Sequence, residues 1–331
     1  MGELRAVKLD KIRFYPLNQC ALYRTSSKSK LACLLGVPLQ DILKILTNSK
    51  KYNEFILREK TCEFTGKIKK ERNVQQPMRS LRALHERIHK LLCFVTPPQY
   101  AQASIKGRSY RSNAMIHKDS DFVVTFDLQK FYSSTAPSRV YDFFATVLKC
   151  EPDVAAVITE LCTFKDGLPT GSPLSPILSL FANKPMFDEM AQFAEKNKLK
   201  FSCYVDDLIF SGFSIPPDIK YQVSKIVIRH GHKLASHKTK FYGPSQAKRV
   251  TGVILLNENL CVPHGRFFKV RRIIETIKNT ESLNQKLHFS QKLAGLLGEI
   301  AYLDGRYSKW SKKVNVQMQT LKKQVIEQAL E

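Results

Sequence analysis

The sequence predicts an α+β protein, and three stretches carry that prediction. Residues 201–211, Phe-Ser-Cys-Tyr-Val-Asp-Asp-Leu-Ile-Phe-Ser, set two adjacent acids, Asp206 and Asp207, between two short apolar runs. That is the pattern of a β-hairpin with acids at its tip. Residues 122–126 are β-branched and aromatic and run into Asp127, which reads as a buried strand ending in an acid. From Arg79 onward, Leu81, Leu84, Ile88, Leu91, Leu92 and Val95 recur at three- and four-residue intervals before Pro97 and Pro98. This is an amphipathic helix with a proline stop.

Composition bounds the class. The chain has 331 residues, a formal net charge of +24 and a hydrophobic fraction of 43%. So much apolar content argues against wholesale disorder, and the length suffices for two or three subdomains with cores of their own. A positive excess that large on a folded body favours a polyanionic partner, with nucleic acid the first candidate. No lipidation motif, spanning apolar run or signal-peptide core is present, so no membrane role is expected. The eight cysteines are scattered singly with no Cys-x-x-Cys pair, as reduced thiols of a cytoplasmic protein are. His230, His232 and His237 cluster without acid or thiol partners at ligand spacing, which does not make a metal site.

Along the chain, residues 1–24 have no assignable pattern. Residues 31–46 carry leucines at helical spacing on both sides of Gly36, predicting two short helices with a turn at 36–38. They read as a small packed cap or as a DNA-reading helix-turn-helix, with the cap preferred. Residues 67–77 read as a β-hairpin presenting lysines and arginines, either a solvated face or a phosphate contact. Residues 104–117 form a basic loop running into a short helix. Pro137 and Pro152 each sit where a first helical turn tolerates them. Residues 167–176, with three prolines and two glycines, make a stiff loop, followed by a buried helix to about residue 195. Residues 223–234 suggest a helix and 249–256 an apolar strand. Beyond residue 257 the pattern turns to basic helices, with Trp310 at the start of the last. With neither repeats nor a low-complexity linker, the chain reads as one cooperative body divided into residues 1–50, 51–256 and 257–331.

An acid ending a buried strand is costly unless paired or metal-bound. If the strand of Asp127 lies beside the 201–211 hairpin, Asp127, Asp206 and Asp207 meet across the sheet and repel one another unless cations neutralise them. Hard Mg²⁺ suits such a set, and two such ions about 4 Å apart support in-line phosphoryl transfer. The chemistry indicated is nucleotidyl transfer.

The order of these stretches resembles the reverse transcriptases, right-hand polymerases with fingers, palm and thumb. Asp127 with Phe131 and Tyr132 is similar to the first palm motif. Pro169-Thr170-Gly171 with Ser175-Pro176 resembles the family's Pro-Gln-Gly-x-x-x-Ser-Pro loop, with Thr170 in place of Gln. Tyr204-Val205-Asp206-Asp207 matches the Tyr-x-Asp-Asp signature, with Val205 where Ala is common. Within that family the resemblance is to bacterial retron enzymes. Asn113-Ala114-Met115-Ile116-His117 is similar to their Asn-Ala-x-x-His element, and Val250-Thr251-Gly252 to a Val-Thr-Gly element associated with RNA recognition.

The resemblance implies a palm of antiparallel sheet plus helices and a helical thumb. It implies that Asp127 and Asp206 hold two Mg²⁺ ions with the carbonyl of Leu128, and that Asp207 supports them. Tyr132 would be the steric gate against a ribose 2′-OH. Lys70 and Arg72 would hold the triphosphate of an incoming dNTP, Thr170 and Gly171 would line the nucleotide, and Lys238 would protonate the leaving pyrophosphate. Asn113, His117, Val250, Thr251 and Gly252 would contact RNA. It further implies a cognate noncoding RNA copied into RNA-linked single-stranded DNA (msDNA) from a 2′-OH, a separate effector protein, and a place in anti-phage defence. A template-independent polymerase of the abortive-infection type and an RNA-binding scaffold with a silent site stand as alternatives.

Overall fold

The computed structural model describes residues 13–328. Helices α1 (Lys28–Leu35) and α2 (Leu39–Thr47) precede strands β1 (Tyr52–Leu57), β2 (Lys60–Thr61), β3 (Ile68–Lys69) and β4 (Arg72–Pro77). Helices α3 (Arg79–Leu92) and α4 (Tyr110–Ile116) lead to β5 (Phe122–Asp127). Five helices follow: α5 (Phe131–Ser134), α6 (Pro137–Asp142), α7 (Pro152–Cys162), α8 (Ser175–Ala182) and α9 (Lys184–Lys196). The hairpin β6 (Lys200–Tyr204) and β7 (Asp207–Gly212) comes next, then α10 (Ile219–Arg229) and β8 (Lys240–Tyr242). Strands β9 (Lys248–Val250), β10 (Val253–Leu256) and β11 (Asn259–Cys261) lead to α11 (His264–Lys278), α12 (Leu283–Leu303) and α13 (Ser308–Gln328). No described helix is long and apolar enough to cross a membrane.

The chain divides into two compact units. The first takes the chain up to Leu57 together with Arg72–Ser245, and the second takes Arg58–Glu71 together with the chain from Gln246 on. Helices α1 and α2 pack into the first unit's core through the fully buried Leu31 and Ile42. Residues 58–71 leave the first unit altogether.

The first unit is built on an antiparallel sheet of order β6-β7-β5-β8. Both faces of its centre are covered, so β7 is buried from Leu208 to Gly212, with Leu208, Ile209 and Phe210 as a continuous apolar run. Phe126, Phe144, Phe187 and Phe210 are fully buried there. Phe201 stacks on Phe210 at 4.7 Å, and Phe126 meets it edge-on at 6.0 Å, the aromatic geometries that add to area burial.

Four local expectations are corrected. The basic segment 67–77 is not one hairpin: β4 pairs with β1, in register from Tyr52↔Pro77 to Leu57↔Arg72, and β3 pairs with β2. Residues 176–195 form two helices, because Pro185 lacks the N–H that would continue α8 past Asn183. Helix α10 stops at Arg229, and Gly231 turns the chain so that His232 enters the interior. Residues 249–256 are two strands, since Thr251 (φ 44°) and Gly252 (φ 83°) make a two-residue turn with both residues left-handed. That turn matches strand twist and so closes a tight hairpin.

The second unit contains the β9–β10–β11 meander, the β2–β3 hairpin and helices α11–α13. Its core is small, with Val270, Ile273, Leu293, Leu297, Ile300 and Val314 at its centre and Trp310 packed against it. Arg266 ties the meander to the helices, donating to the Gly252 carbonyl at 3.3 Å and pairing with Glu299 at 2.6 Å.

Candidate active site

The sheet brings the three acids together. Strands β5 and β7 are antiparallel with Asp127 opposite Asp207, so both side chains share one face. Tyr204 pairs with Asp207, which leaves Val205 and Asp206 as the two-residue loop of the β6–β7 hairpin. Val205 holds φ at 60°, a left-handed conformation that costs a β-branched residue about 1–3 kcal/mol and persists only where its surroundings enforce it. The enforcing bonds are backbone ones. Leu128 N–H donates to the Asp206 carbonyl at 2.9 Å, Ala235 N–H to the Asp127 carbonyl at 2.8 Å, and Gln129 N–H to the Lys233 carbonyl at 2.8 Å.

The charges are uneasy. Burial, then the Asp127 charge, pushes the Asp206 carboxyl above the ordinary range. Burial, then the Asp206 and Asp127 charges, pushes Asp207 up to about 7. Lys238 supplies the opposing cation: its Nζ lies 2.8 and 2.9 Å from the two oxygens of Asp127, and that bond raises its own pKa. The lysine side chain is 52% exposed and the aspartate 15%, so the ammonium can swing away while the carboxylate stays.

Among the described residues no three His, Cys, Asp or Glu side chains stand as a ready-made metal cage. Mg²⁺ does not require one, because it is held by one or two carboxylates together with substrate phosphates and water. The donor set fits that ion: hard oxygens, acids poorly compensated by protein, and an ammonium already drawn to Asp127 as a stand-in cation.

The remaining predicted residues divide into those near the acids and those elsewhere. Burial, then the Asp206 charge, raises the Tyr132 phenol above its ordinary value, which places the ring within electrostatic reach of that acid. The Tyr132 carbonyl accepts from Leu168 N–H at 2.9 Å and so ties α5 to the Pro-rich loop. Thr170 and Gly171 dock on β4. The Thr170 hydroxyl donates to the Asn73 carbonyl at 3.1 Å and accepts from Gln75 N–H at 3.3 Å, and Gly171 N–H donates to the Gln75 carbonyl at 3.1 Å. A Cβ on Gly171 would lie 2.8 Å from that carbonyl oxygen, so only glycine permits this approach. Arg72 opens the same strand and is exposed, whereas Lys70 is exposed in the second unit.

Asn113 and His117 correct the expectation placed on them. Both are fully buried, so neither side chain offers a surface to RNA. Ser202 donates to Asn113 Oδ1 at 2.6 Å, His117 Nε2 lies 2.8 Å from Ser202 Oγ, and His117 Nδ1 lies 2.7 Å from Ser211 Oγ. Ser120 donates to Ser211 Oγ at 2.9 Å. One proton order satisfies all of them: Ser120 to Ser211, Ser211 to Nδ1, Nε2–H to Ser202, Ser202 to Asn113. Burial, with Lys200 adding, holds this imidazole down at about 3, so it is neutral. Val250 is likewise buried, while Thr251 and Gly252 form the half-buried β9–β10 turn.

Residues 41–255, well over half of the chain, match the family model described as reverse transcriptase (RNA-dependent DNA polymerase). The chain belongs to the reverse transcriptase family. Its relatives include the retron Ec86 reverse transcriptase of Escherichia coli, 27% identical over 227 residues that cover 68% of this chain and 71% of that protein. The retron Se72 reverse transcriptase of Salmonella heidelberg (strain 579083-10) is 30% identical over 212 residues, 62% of this chain and 53% of that one. This reverse transcriptase thus spans about half the length of the Se72 protein. Among solved structures, the telomerase from Candida albicans in complex with a fragment of telomeric RNA aligns at a TM-score of 0.36 and 13% identity, over 61% of this chain and 42% of that one.

Sequence reasoning missed the polar residues behind the site. Ser202 and Ser211 interrupt apolar strands, and that interruption was the available signal, since a buried hydroxyl must find a partner. His85 was also missed. It lies within the apolar stripe of α3, with Nδ1 2.7 Å from Ser172 Oγ and Nε2 2.8 Å from the Leu161 carbonyl, and so holds the Pro-rich loop from beneath.

Proposed function

We propose that this reverse transcriptase is of the retron type, copying a cognate structured noncoding RNA into single-stranded DNA that begins on an RNA 2′-OH and stays linked to it. The observation that carries the catalytic reading is the Asp127↔Asp207 register beside the Asp206 loop, in a chain whose relatives are retron enzymes. In this reading β1 and β4 belong to the fingers, the β6-β7-β5-β8 sheet to the palm and α11–α13 to a basic thumb.

Asp127, Asp206 and the Leu128 carbonyl would hold two Mg²⁺ ions with Asp207 in support, and the bound ions would lower the pKa of the priming hydroxyl and neutralise phosphate charge. The protein's own groups do the rest. Tyr132 bars a ribose 2′-OH and so selects dNTPs. Arg72 orients the triphosphate, and Thr170 and Gly171 fix the loop beside it. Lys238 leaves Asp127 to carry a proton toward the departing pyrophosphate. The Thr251–Gly252 turn contacts the RNA, and a separate effector protein completes an anti-phage system.

The test is sequencing of nucleic acid copurified from the native host, before and after debranching enzyme. A discrete RNA joined to DNA through a debranchable 2′,5′ link is expected. Free DNA of random sequence would point instead to template-independent synthesis, and RNA without DNA to a scaffold. Asp206→Asn is expected to abolish synthesis and leave RNA binding near normal; persistent synthesis would sink the assignment of the acids.

A further inference from the structure

The second unit holds a cavity to which the catalytic reading gives no role. It has a volume of about 810 Å³ and lies where the tip of the β2–β3 hairpin packs beside α11 and α12. The tip is held there by two contacts. Glu63 Oε1 lies 2.7 Å from Lys292 Nζ, and the Phe64 ring meets Phe289 edge-on at 6.1 Å. The ammonium groups of Lys269 and Lys292 lie 5.9 and 5.6 Å from the Phe64 ring centre.

Helix α11 lines the cavity with Phe268, Arg272, Thr276 and Asn279, spaced i, i+4, i+8 and i+11 and therefore on one face. Phe268 is 40% exposed, and the Arg272 guanidinium lies over its ring, 5.4 Å from the centre. The acids at the rim are compensated: Glu63 by Lys292, and Glu275 by Arg272 at 3.6 Å. What the cavity offers is a part-exposed aromatic ring with a guanidinium over it, a side-chain amide, a hydroxyl and two nearby ammonium groups.

A nucleotide matches each of these. Its base stacks on an aromatic ring whatever its identity, the amide and hydroxyl meet the base edge, and the cations meet the phosphate. The volume falls within the range of small-ligand sites, about 300–1,000 Å³, and a chain of net charge +24 draws polyanions to it. We propose that this cavity binds an unpaired nucleotide of single-stranded nucleic acid, stacked on Phe268 and held by Arg272 and Asn279. The site is independent of the catalytic reading, because it requires neither the carboxylates nor turnover.

Fluorescence anisotropy in EDTA, with 5′-fluorescein (rU)15 and (dT)15 as single strands and a blunt 16-base-pair RNA duplex as control, tests it. Phe268→Ala is expected to weaken single-strand binding roughly tenfold and Asn279→Ala about threefold, with duplex affinity unchanged. A loss confined to the ribo- or the deoxy-strand supports the site and identifies its source. Equal losses for single strand and duplex would reduce the cavity to a general charge contact, and no loss for either strand would remove it. A readout free of substitution uses the unaltered protein with 4-thiouridine in the (rU)15 strand. Photocrosslinks are expected on the α11 face or the Phe64 tip, and crosslinks found only elsewhere overturn the proposal.

Discussion

The two ends of the β6–β7 hairpin make opposite use of polar groups. At the tip, Val205 is strained and the acids on either side of the site are buried against their own charge. Toward the open end, Ser202 and Ser211 meet His117, Asn113 and Ser120 in a buried network with every described bond made between neutral groups. The tip is arranged for a ligand the protein alone does not supply, whereas the far end is complete without one. A reacting centre of this kind lowers stability, and satisfied structure behind it must hold it in place.

The largest expected effect comes at the tip. Asp127→Asn should lower extension of poly(rA)·oligo(dT) by at least about a thousandfold, because a neutral amide neither ligates Mg²⁺ nor balances charge. Folding should survive, since Lys238 is mostly exposed and regains water. Retention of a tenth of the activity would mean that the tip does not carry the chemistry.

Next comes the far end. His117→Leu removes one hydrogen bond from each of Ser202 and Ser211, which keep only Asn113 and Ser120 as partners, at a cost of about 1–3 kcal/mol, or roughly 2–12 °C in melting temperature for a unit of this size. The pH dependence has a definite sign. His117 sits at about 3 when folded against 6.5 as a model imidazole, so its neutral burial stabilises above about pH 6.5 and is lost as pH falls toward 3. The unsubstituted protein should therefore weaken through that window more steeply than His117→Leu. Equal slopes in guanidinium melts at pH 7 and pH 5 would show that the network does not hold the hairpin.

The tip predicts the reverse pH signature. Asp207 rises from 3.8 to about 7 on folding, so the fold is favoured below about pH 4 and loses that contribution as pH climbs through 7. Asp207→Asn removes the penalty. In EDTA it should be more stable than the unsubstituted protein by on the order of 2–4 kcal/mol at pH 8, with the gain shrinking toward pH 5. An Asn variant less stable at pH 8 would mean that the acids are compensated by something other than Lys238.

The acids were legible one by one because their signal is local: an Asp pair at a hairpin tip and an Asp closing an apolar strand each show in strand periodicity, whereas their meeting across β5 and β7 was a condition that only the resemblance supported. The loop around Gly171 was legible as a stiff loop, but not as the loop that docks on β4, since its partners Asn73 and Gln75 lie almost a hundred residues earlier. Residues 67–77 misled for a related reason. Their composition is that of one basic hairpin, and no local pattern says that β4 returns to β1 while residues 58–71 join another unit. His117 shows the limit most directly. A motif recognised by resemblance was read as an RNA contact, yet a histidine that follows the apolar run Ala114-Met115-Ile116 is equally the centre of a buried network, and only the positions of Ser202 and Ser211 decide between the two.

The smallest predicted effect tests whether Lys238 completes the tip in the absence of metal. Its ammonium bonds both oxygens of Asp127, where a divalent ion would bind, so the two cations compete for one carboxylate. A half-exposed ion pair contributes about 0.2–1 kcal/mol, and Lys238→Met should lower metal-free stability by no more than that. The same substitution removes the competitor, and Mn²⁺ affinity measured by calorimetry without dNTP should rise about two- to fivefold. DNA synthesis should nevertheless fall if Lys238 is the proton donor proposed above, since the substitution removes that group along with the competitor. Tighter metal binding with slower synthesis is the combination that separates these two roles. An unchanged or weaker Mn²⁺ affinity would show that Lys238 does not guard the site, and the contrast between an incomplete tip and a complete far end would then rest on the acids alone.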